Sequence, residues 1–180
     1  MKKQPAVSAE YEHVTHTFGP VYDVDSKILI LGSMPSVKSR EQQFYYGHPQ
    51  NRFWKVLQAV FGETVPETIA EKRDFLLRNN VALWDVIESC DIVGSSDSSI
   101  KNVRANDMNV ILSAADISTI FLNGGKAYEL FLKYCGKNIP EGGHALVKLP
   151  STSPANAAWS LEKLTESWTG LIRQNSQALR

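Results

Sequence analysis

Ile28-Leu29-Ile30-Leu31-Gly32, running at once into Ser33-Met34-Pro35-Ser36, is the stretch on which the fold turns. Four consecutive apolar residues offer both faces of an extended segment to a core, so Ile28 to Leu31 read as a strand buried on both sides. Gly32 ends the strand, and Ser33 to Ser36 turn the chain out of the sheet. In open α/β folds, ligands bind beyond the carboxyl ends of the strands, so a site is expected at this turn.

Outward from the turn, Phe44, Tyr45 and Tyr46 precede His48-Pro49, and Asn51 stands where it can cap a helix carrying Arg52, Phe53 and Trp54. Aromatic rings, an imidazole, an amide and a cation in one short segment suit a pocket for a flat, hydrogen-bonding ligand such as a nucleobase. Trp54, Leu57, Val60 and Phe61 recur at helical spacing as far as Gly62. From Pro66 a second helical segment, with Ile69, Phe75 and Leu76 toward a core, ends at Asn79-Asn80. Val81 to Val86 read as the second strand, which brings Trp84 and Asp85 to the sheet edge that holds Gly32. Ser95 to Ser99 form a turn-rich loop that either covers part of the site or is plain surface.

The rest of the chain repeats the alternation. Asp107 to Ala115 read as a short helix capped by Asn106, and Ser118 to Leu122 as the third strand. Asn123-Gly124-Gly125-Lys126 then turns directly into a helix with Ala127, Leu130, Phe131 and Tyr134 on one face. Glycines between a strand and a helix let backbone N–H groups approach an anion such as a DNA phosphate; a tight turn that needs their dihedrals is the other reading. Ala145 to Leu149 are the fourth strand, and a last helix from about Ala158 carries Leu161, Leu164, Trp168, Leu171 and Ile172 on one stripe. The expected fold is a three-layer α/β/α sandwich around a short, mainly parallel four-stranded sheet. Residues 1–26 show no strong period and read as an extended lead-in, with Phe18 to Tyr22 packed on the first strand. His13 and His16 could meet on one helical turn as metal ligands, but no third ligand stands near, and they read as exposed polar residues.

With 180 residues, the chain reads as one domain large enough for a proper core. Its hydrophobic fraction of 43% and charged fraction of 21% suit a soluble globular protein. No apolar run approaches a membrane span, and the first residues lack a secretory signal's apolar region. Cys90 and Cys135 lie far apart without metal-ligand spacing, which points to reduced thiols in the cytoplasm. The 19 basic and 19 acidic residues cancel, which counts against gripping long nucleic acid by charge alone. A local basic patch remains open to such a chain.

Two motifs carry a family resemblance. Gly32-Ser33-Met34-Pro35-Ser36 with Tyr46-Gly47-His48-Pro49-Gln50-Asn51-Arg52-Phe53-Trp54-Lys55-Val56 resembles the first motif of the uracil-DNA glycosylase superfamily. Leu149-Pro150-Ser151-Thr152-Ser153-Pro154-Ala155-Asn156, followed by Ser160-Leu161-Glu162-Lys163-Leu164, resembles its minor-groove motif and the helix after it. The form with Gly-Ser-Met-Pro looks most like the DNA-deoxyinosine (hypoxanthine-DNA) branch. The resemblance implies the same α/β/α fold and a monofunctional, cofactor-free hydrolase. Its substrate would be double-stranded DNA containing a deaminated base, most of all hypoxanthine, and it would act as a monomer with no membrane partner. A mismatch-specific uracil/thymine glycosylase and a catalytically silent DNA-binding relative are the competing readings.

The resemblance also assigns roles. Where the mismatch branch has its water-positioning Asn, this chain has Met34; the residue that the deoxyinosine branch implicates is Asn51. Read from the residues themselves, His48 and Asp85 are further catalytic candidates, His48 otherwise bracing the loop through Pro49 and Asp85 otherwise anchoring a loop. Gly32, Ser33, Met34, Pro35, Tyr46, Phe53 and Asn123 are expected around the base, with Tyr46 stacked on it. Ser151, Ser153, Pro154, Ala155, Asn156 and Lys126 are expected to meet DNA. Pro154 and Ala155 make a weak wedge, which suits bases that already pair poorly. Arg52 and Lys55 are expected to face phosphates or solvent.

Overall fold

A computed structural model of the chain describes residues 10–64, 66–139 and 143–176. Four parallel strands, β2 (Ile28–Gly32), β3 (Val81–Asp85), β6 (Thr119–Asn123) and β7 (Ala145–Leu149), form a sheet in the order β3-β2-β6-β7. Every residue of β2 and β3 is buried, and so are the first four of β6. Burial at consecutive positions means that both faces are covered, as a parallel sheet requires. The covering helices are α2 (Phe53–Phe61), α3 (Ile69–Arg78), α5 (Gly125–Tyr134) and α6 (Leu161–Asn175). Helix α2 packs on α6, α3 on β3, and α5 and α6 on the β6–β7 side. The α/β sandwich expected from the strand spacing is the one observed.

The register places the site. Gly32 lies beside Asp85, Leu31 beside Leu122, and Asn123 beside Leu149. The carboxyl ends of the four strands are therefore level, and the loops leaving them converge on one edge. The lead-in departs from expectation at one point: Val21 pairs with Leu83 on the edge strand β3, through reciprocal backbone bonds of 3.0 and 2.8 Å, rather than with the first strand.

A second sheet was not expected. Strands β1 (Glu12–Thr15), β4 (Ile87–Ile92) and β5 (Lys101–Ala105) pair antiparallel in the order β1-β4-β5. Strand β4 follows β3 after one residue: Val86 N–H and Ile87 N–H donate to the carbonyls of Gly32 and Ser33, which deflects the chain out of the parallel sheet. Register shifts between Ile87 and Ser89 and between Ser89 and Asp91 break the strict alternation of sides, so β4 carries no clean period of two. Only Val14 of β1 is buried. His13 and His16 accordingly belong to an extended segment, not a helical turn. His13 is exposed beside Asp91, whereas the side chain of His16 is buried.

Several boundaries move as well. Ser36 caps an additional short helix, α1 (Val37–Gln42), by accepting from Ser39 N–H. Thr68 and Glu71 form a reciprocal capping box that starts α3 after Pro66, leaving Ile69 exposed while Phe75 and Leu76 are buried. The helix expected from Asp107 shrinks to α4 (Asn109–Leu112), started by Asp107, because Asn106 instead donates to the carbonyls of Asp85 and Ile87. Helix α6 begins at Leu161 under a Ser160 cap. Leu164, Trp168 and Ile172 form its buried face, while Leu161 stays exposed.

Candidate active site

A cavity of about 310 Å³ opens at the carboxyl edge of the parallel sheet. That is at the small end of the range for ligand pockets, enough for one base. Gly32 and Asp85 supply its floor, Ser33 to Pro35, Tyr46, His48 and Asn51 one wall, and Asn123 with Ser151 to Ala155 the other. Ser95 and Asp97 close it from the β4–β5 loop, so that loop does cover part of the site. A wider groove adjoins, lined by Lys126, Lys148, Asn156 and Trp159 and sharing Asp97, Asn123, Ser151, Ser153 and Ala155 with the cavity. The two are one continuous depression.

Asn51 is held in one orientation. Its Oδ1 accepts from Phe53 N–H at 3.0 Å and from Thr152 Oγ–H at 2.9 Å. A backbone N–H can only donate, so the carbonyl end of the amide must face it. The Nδ2 amine makes no hydrogen bond among the described residues and is left to the cavity as a donor. Arg52, not Asn51, is the N-cap residue of α2 and makes no side-chain cap bond. Asn51, one residue earlier, holds the first N–H of the helix with one end of its amide and offers the other end to the pocket.

Thr152 and Asn123 build the support. Asn123 Nδ2 donates to Thr152 Oγ1 and to Tyr46 Oη, each at 3.0 Å, and its Oδ1 accepts from Thr152 N–H at 3.1 Å. The relay Tyr46–Asn123–Thr152–Asn51 ties β6, both motif loops and α2 together. Tyr46 sits at φ 53°, a backbone region that a bulky residue enters only when its surroundings hold it there. Its ring stacks on Phe53, with centroids 3.9 Å apart, and Phe53 is itself wholly buried behind Tyr46 rather than on the cavity wall. Burial first, then the nearby Asp85 carboxylate, pushes the Tyr46 hydroxyl well above its usual pKa, so it stays a protonated donor.

Asp85 is nearly inaccessible, and its Oδ2 accepts from His16 Nε2 at 2.8 Å. The His16 ring lies against Phe18 and Tyr45, and its backbone N–H is bound to the Glu88 carbonyl of β4. Its Nδ1 is buried with no partner among the described residues, an arrangement that costs about 1–3 kcal/mol. Gly32 has to be glycine, because a Cβ there would overlap Asp85 Oδ1 and come within 2.9 Å of Tyr46 Oη. On the rim, loss of solvation pushes the Asp97 carboxyl up, although the Ser33 hydroxyl, 3.1 Å away, and Lys126 oppose it.

The second motif is held from below by Arg52, which faces neither phosphate nor solvent as expected. Its guanidinium donates to the carbonyls of Thr152, Ser153, Asn156 and Trp159, the Ser153 bond at 2.7 Å, and its backbone N–H donates to Thr152. Lys55 is exposed. Trp168 Nε1 holds Pro150 at 2.9 Å, and Gly124, at φ 101°, lets the β6–α5 turn pass against Ser151. The hydroxyls of Ser151 and Ser153 accept from Ser153 N–H and Ala155 N–H, so both shape the loop itself. His48 Nδ1 accepts from Gln50 N–H, leaving Nε2 to carry its proton.

Of the residues expected at the site, all but Phe53, Asn156 and Lys126 line the cavity, and the last two line the adjoining groove, where Lys126 also pairs with Glu129 at 3.5 Å. The sequence reading missed Thr152, His16 and Asp97, and mistook Arg52. Thr152 sat in plain view inside the second motif.

The chain belongs to the uracil DNA glycosylase superfamily, whose family model matches residues 20–172. It is 35% identical over 160 residues to a hypoxanthine DNA glycosylase of Methanosarcina acetivorans, covering 87% of this chain and 96% of that one. It is 36% identical over 123 residues to a hypoxanthine DNA glycosylase of Methanosarcina barkeri, covering 66% and 78%. The solution NMR structure of an M. acetivorans protein described as a candidate uracil DNA glycosylase matches with a TM-score of 0.71 at 35% identity, covering 87% of this chain and 95% of that one.

Proposed function

We propose that the chain is a monofunctional DNA glycosylase that hydrolyses the N-glycosidic bond of deoxyinosine, releasing hypoxanthine as the first step of base excision repair. The observation that carries this is the fixed amide of Asn51: a donor, not an acceptor, faces the cavity. An N–H that donates to water draws density from the oxygen that must attack. The same N–H aimed at the departing base stabilises the charge that base acquires, and a preorganised donor of this kind is worth roughly 3 kcal/mol in the transition state. Met34, at the position of the usual water-positioning amide, lines the cavity with a thioether and leaves that stabilisation as the main device. The sugar, by then close to an oxocarbenium ion, is electrophile enough for water with little help from a base. No lysine lines the cavity among the described residues, which supports base release without strand cleavage.

Two relatives named as hypoxanthine DNA glycosylases support the choice of base. Double-stranded DNA would lie over the Ser151 to Asn156 loop, with Pro154 and Ala155 exposed at the rim. We place the enzyme in the cytoplasm as a monomer, a setting in which Cys90 and Cys135, both buried and unbridged, stay reduced. The test is single-turnover base release from duplexes carrying hypoxanthine, uracil or a thymine mismatch. Hypoxanthine is expected to leave fastest. A wild type that excises uracil faster than hypoxanthine rules the assignment out.

A further inference from the structure

We propose that Asp97, carried to the mouth of the cavity by the β4–β5 loop, positions the attacking water and takes its proton, the part that falls to an amide at the place of Met34 in the mismatch branch. This role rests on the glycosylase reading but not on the choice of base, since every candidate substrate presents the same sugar.

Asp97 stands where that sugar must lie. A base still tethered to DNA enters with its sugar last, so the reacting carbon stops at the mouth of the cavity rather than on its floor. Asp97 lines both the cavity and the adjoining groove, which puts it at that mouth. The Ser33 hydroxyl donates to its Oδ1 at 3.1 Å, one residue from Met34, so a carboxylate from the other sheet reaches the turn of the first motif. Its Oδ2 makes no hydrogen bond among the described residues, and part of the residue stays open to solvent, where a water can reach it. The loop itself is braced: Ser95 Oγ accepts from Val37 N–H at 3.3 Å, and Ser99 Oγ from Val93 N–H at 2.8 Å. A carboxylate with one oxygen tethered and the other free can hold a water in one direction.

The other polar groups of the cavity are unsuited to this task. Asn51 presents an amine, Tyr46 is kept protonated by burial, and His48, whose Nδ1 accepts from Gln50 N–H, presents an N–H. Asp85 is nearly inaccessible on the floor, with its Oδ2 bound by His16. Donors suit a departing base, whereas a water needs an acceptor for the proton it loses. A negative charge on a rim that faces phosphates also works against binding, a cost that chemistry would offset.

As the bond from the sugar's C1′ to the base nitrogen breaks, its electron pair leaves with the base. A water lone pair makes the new C1′–O bond, and the water's proton passes to Asp97 Oδ2. Asp97 returns that proton to solvent, from which the base anion takes one up, so one water is consumed and a neutral base released. An oxocarbenium-like sugar asks little of a base, so orientation comes first and proton acceptance late. Desolvation pushes the Asp97 pKa up, the Ser33 hydroxyl and Lys126 of α5 draw it down, and Asp85 of β3 adds to the rise. The carboxylate must be ionised to act, so the rate should fall as pH drops through a value above the ordinary carboxylate range.

The test follows single-turnover base release from neutral to mildly acid pH. Asp97→Asn keeps an oxygen for Ser33 but no base, so release should fall about 10²-fold, the low end of what a positioned general base contributes, and the acid limb should vanish. Asp97→Ala should fall as far and recover several-fold in formate, but not in chloride at equal ionic strength. Ser33→Ala, which loosens the carboxylate without removing it, should lose only a few-fold. Duplex binding by Asp97→Asn should hold or tighten, and melting curves separate misfolding from lost chemistry. Should Asp97→Ala not fold, the pH profile of Asp97→Asn decides alone. An Asp97→Asn variant within a few-fold of wild type, or slowed with the wild-type pH profile intact, would reduce Asp97 to a loop anchor and overturn the proposal. A wild type that prefers uracil fails the hypoxanthine assignment, and the same test then runs on uracil duplexes; a wild type that releases no base fails both.

Discussion

The two sheets of this molecule share one strand junction and little else. The parallel sheet is buried through β2 and β3 and ends in a level row of loops that carry Gly32, Asp85, Asn123 and Ser151. The antiparallel sheet is polar, bulged in the middle and exposed along most of β1 and β5. Yet the smaller sheet lends the site its least accessible charge partner, His16, and through the β4–β5 loop the Asp97 carboxylate. The difference shows a division of labour: one sheet supplies rigidity and backbone position, the other supplies chemistry to a site it does not build.

The largest expected effect tests that division on stability. Ile30→Ala, at a wholly buried position of β2, should cost about 2–5 kcal/mol, while Val103→Ala, at a half-buried position of the mostly exposed β5, should cost under about 1 kcal/mol, both read from urea melts. Comparable losses would mean that the antiparallel sheet is as much core as the parallel one. Asn51→Ala comes next, on activity. Single-turnover hypoxanthine release should fall about 10²–10³-fold with little loss of binding to an uncleavable inosine analogue. Loss of the partner of Phe53 N–H should cost roughly 1 kcal/mol of stability. A destabilised but active variant would leave Asn51 only its structural bond to the first turn of α2.

Gly32→Ala sharpens the contact between the sheets, since the new Cβ must displace Asp85 or Tyr46. Overpacking of this kind costs about 1–3 kcal/mol, and base release should suffer beyond what the melting temperature explains. Wild-type activity in this variant would detach Asp85 from the site.

The smallest effect concerns one carboxylate on each side. Glu63, bound by Arg78 and Asn79, and Asp91, bound by Asn102 and His13, both have pKa values held below the usual carboxylate range by those hydrogen bonds. Folded values below unfolded ones mean that each contributes stability above the ordinary carboxylate pKa and loses it as pH falls through the depressed folded value. Glu63→Gln should therefore lower the melting temperature at pH 7 by about 1–3 °C, and the difference should close in acid. Carboxyl NMR titrations that leave either group at its ordinary pKa would remove that contribution.

What the sequence determined by itself was whatever local pattern can carry. An apolar run with no polar gap, Ile28 to Leu31, specifies a strand covered on both faces without knowledge of its neighbours. Gly62 ends α2 at φ 68° by its own backbone freedom, and the paired motifs around Asn51 and Ser151 mark the family because their chemistry is written in consecutive residues. Tertiary structure decided the rest. Strand β4 alternates imperfectly because of its bulges, and its partner β1 stands 74 to 80 positions earlier, at pairs Ser89–Thr15 and Ile92–Glu12, so no short window contains the pairing. Arg52 looks like a surface cation until the loop at Ser153, 101 residues on, brings carbonyls under its guanidinium. His16 looks like an exposed polar residue until Asp85, 69 positions away, is delivered beside it by the end of another sheet. A buried charge is tolerable only beside its partner, and that partner is chosen by topology rather than by spacing along the chain.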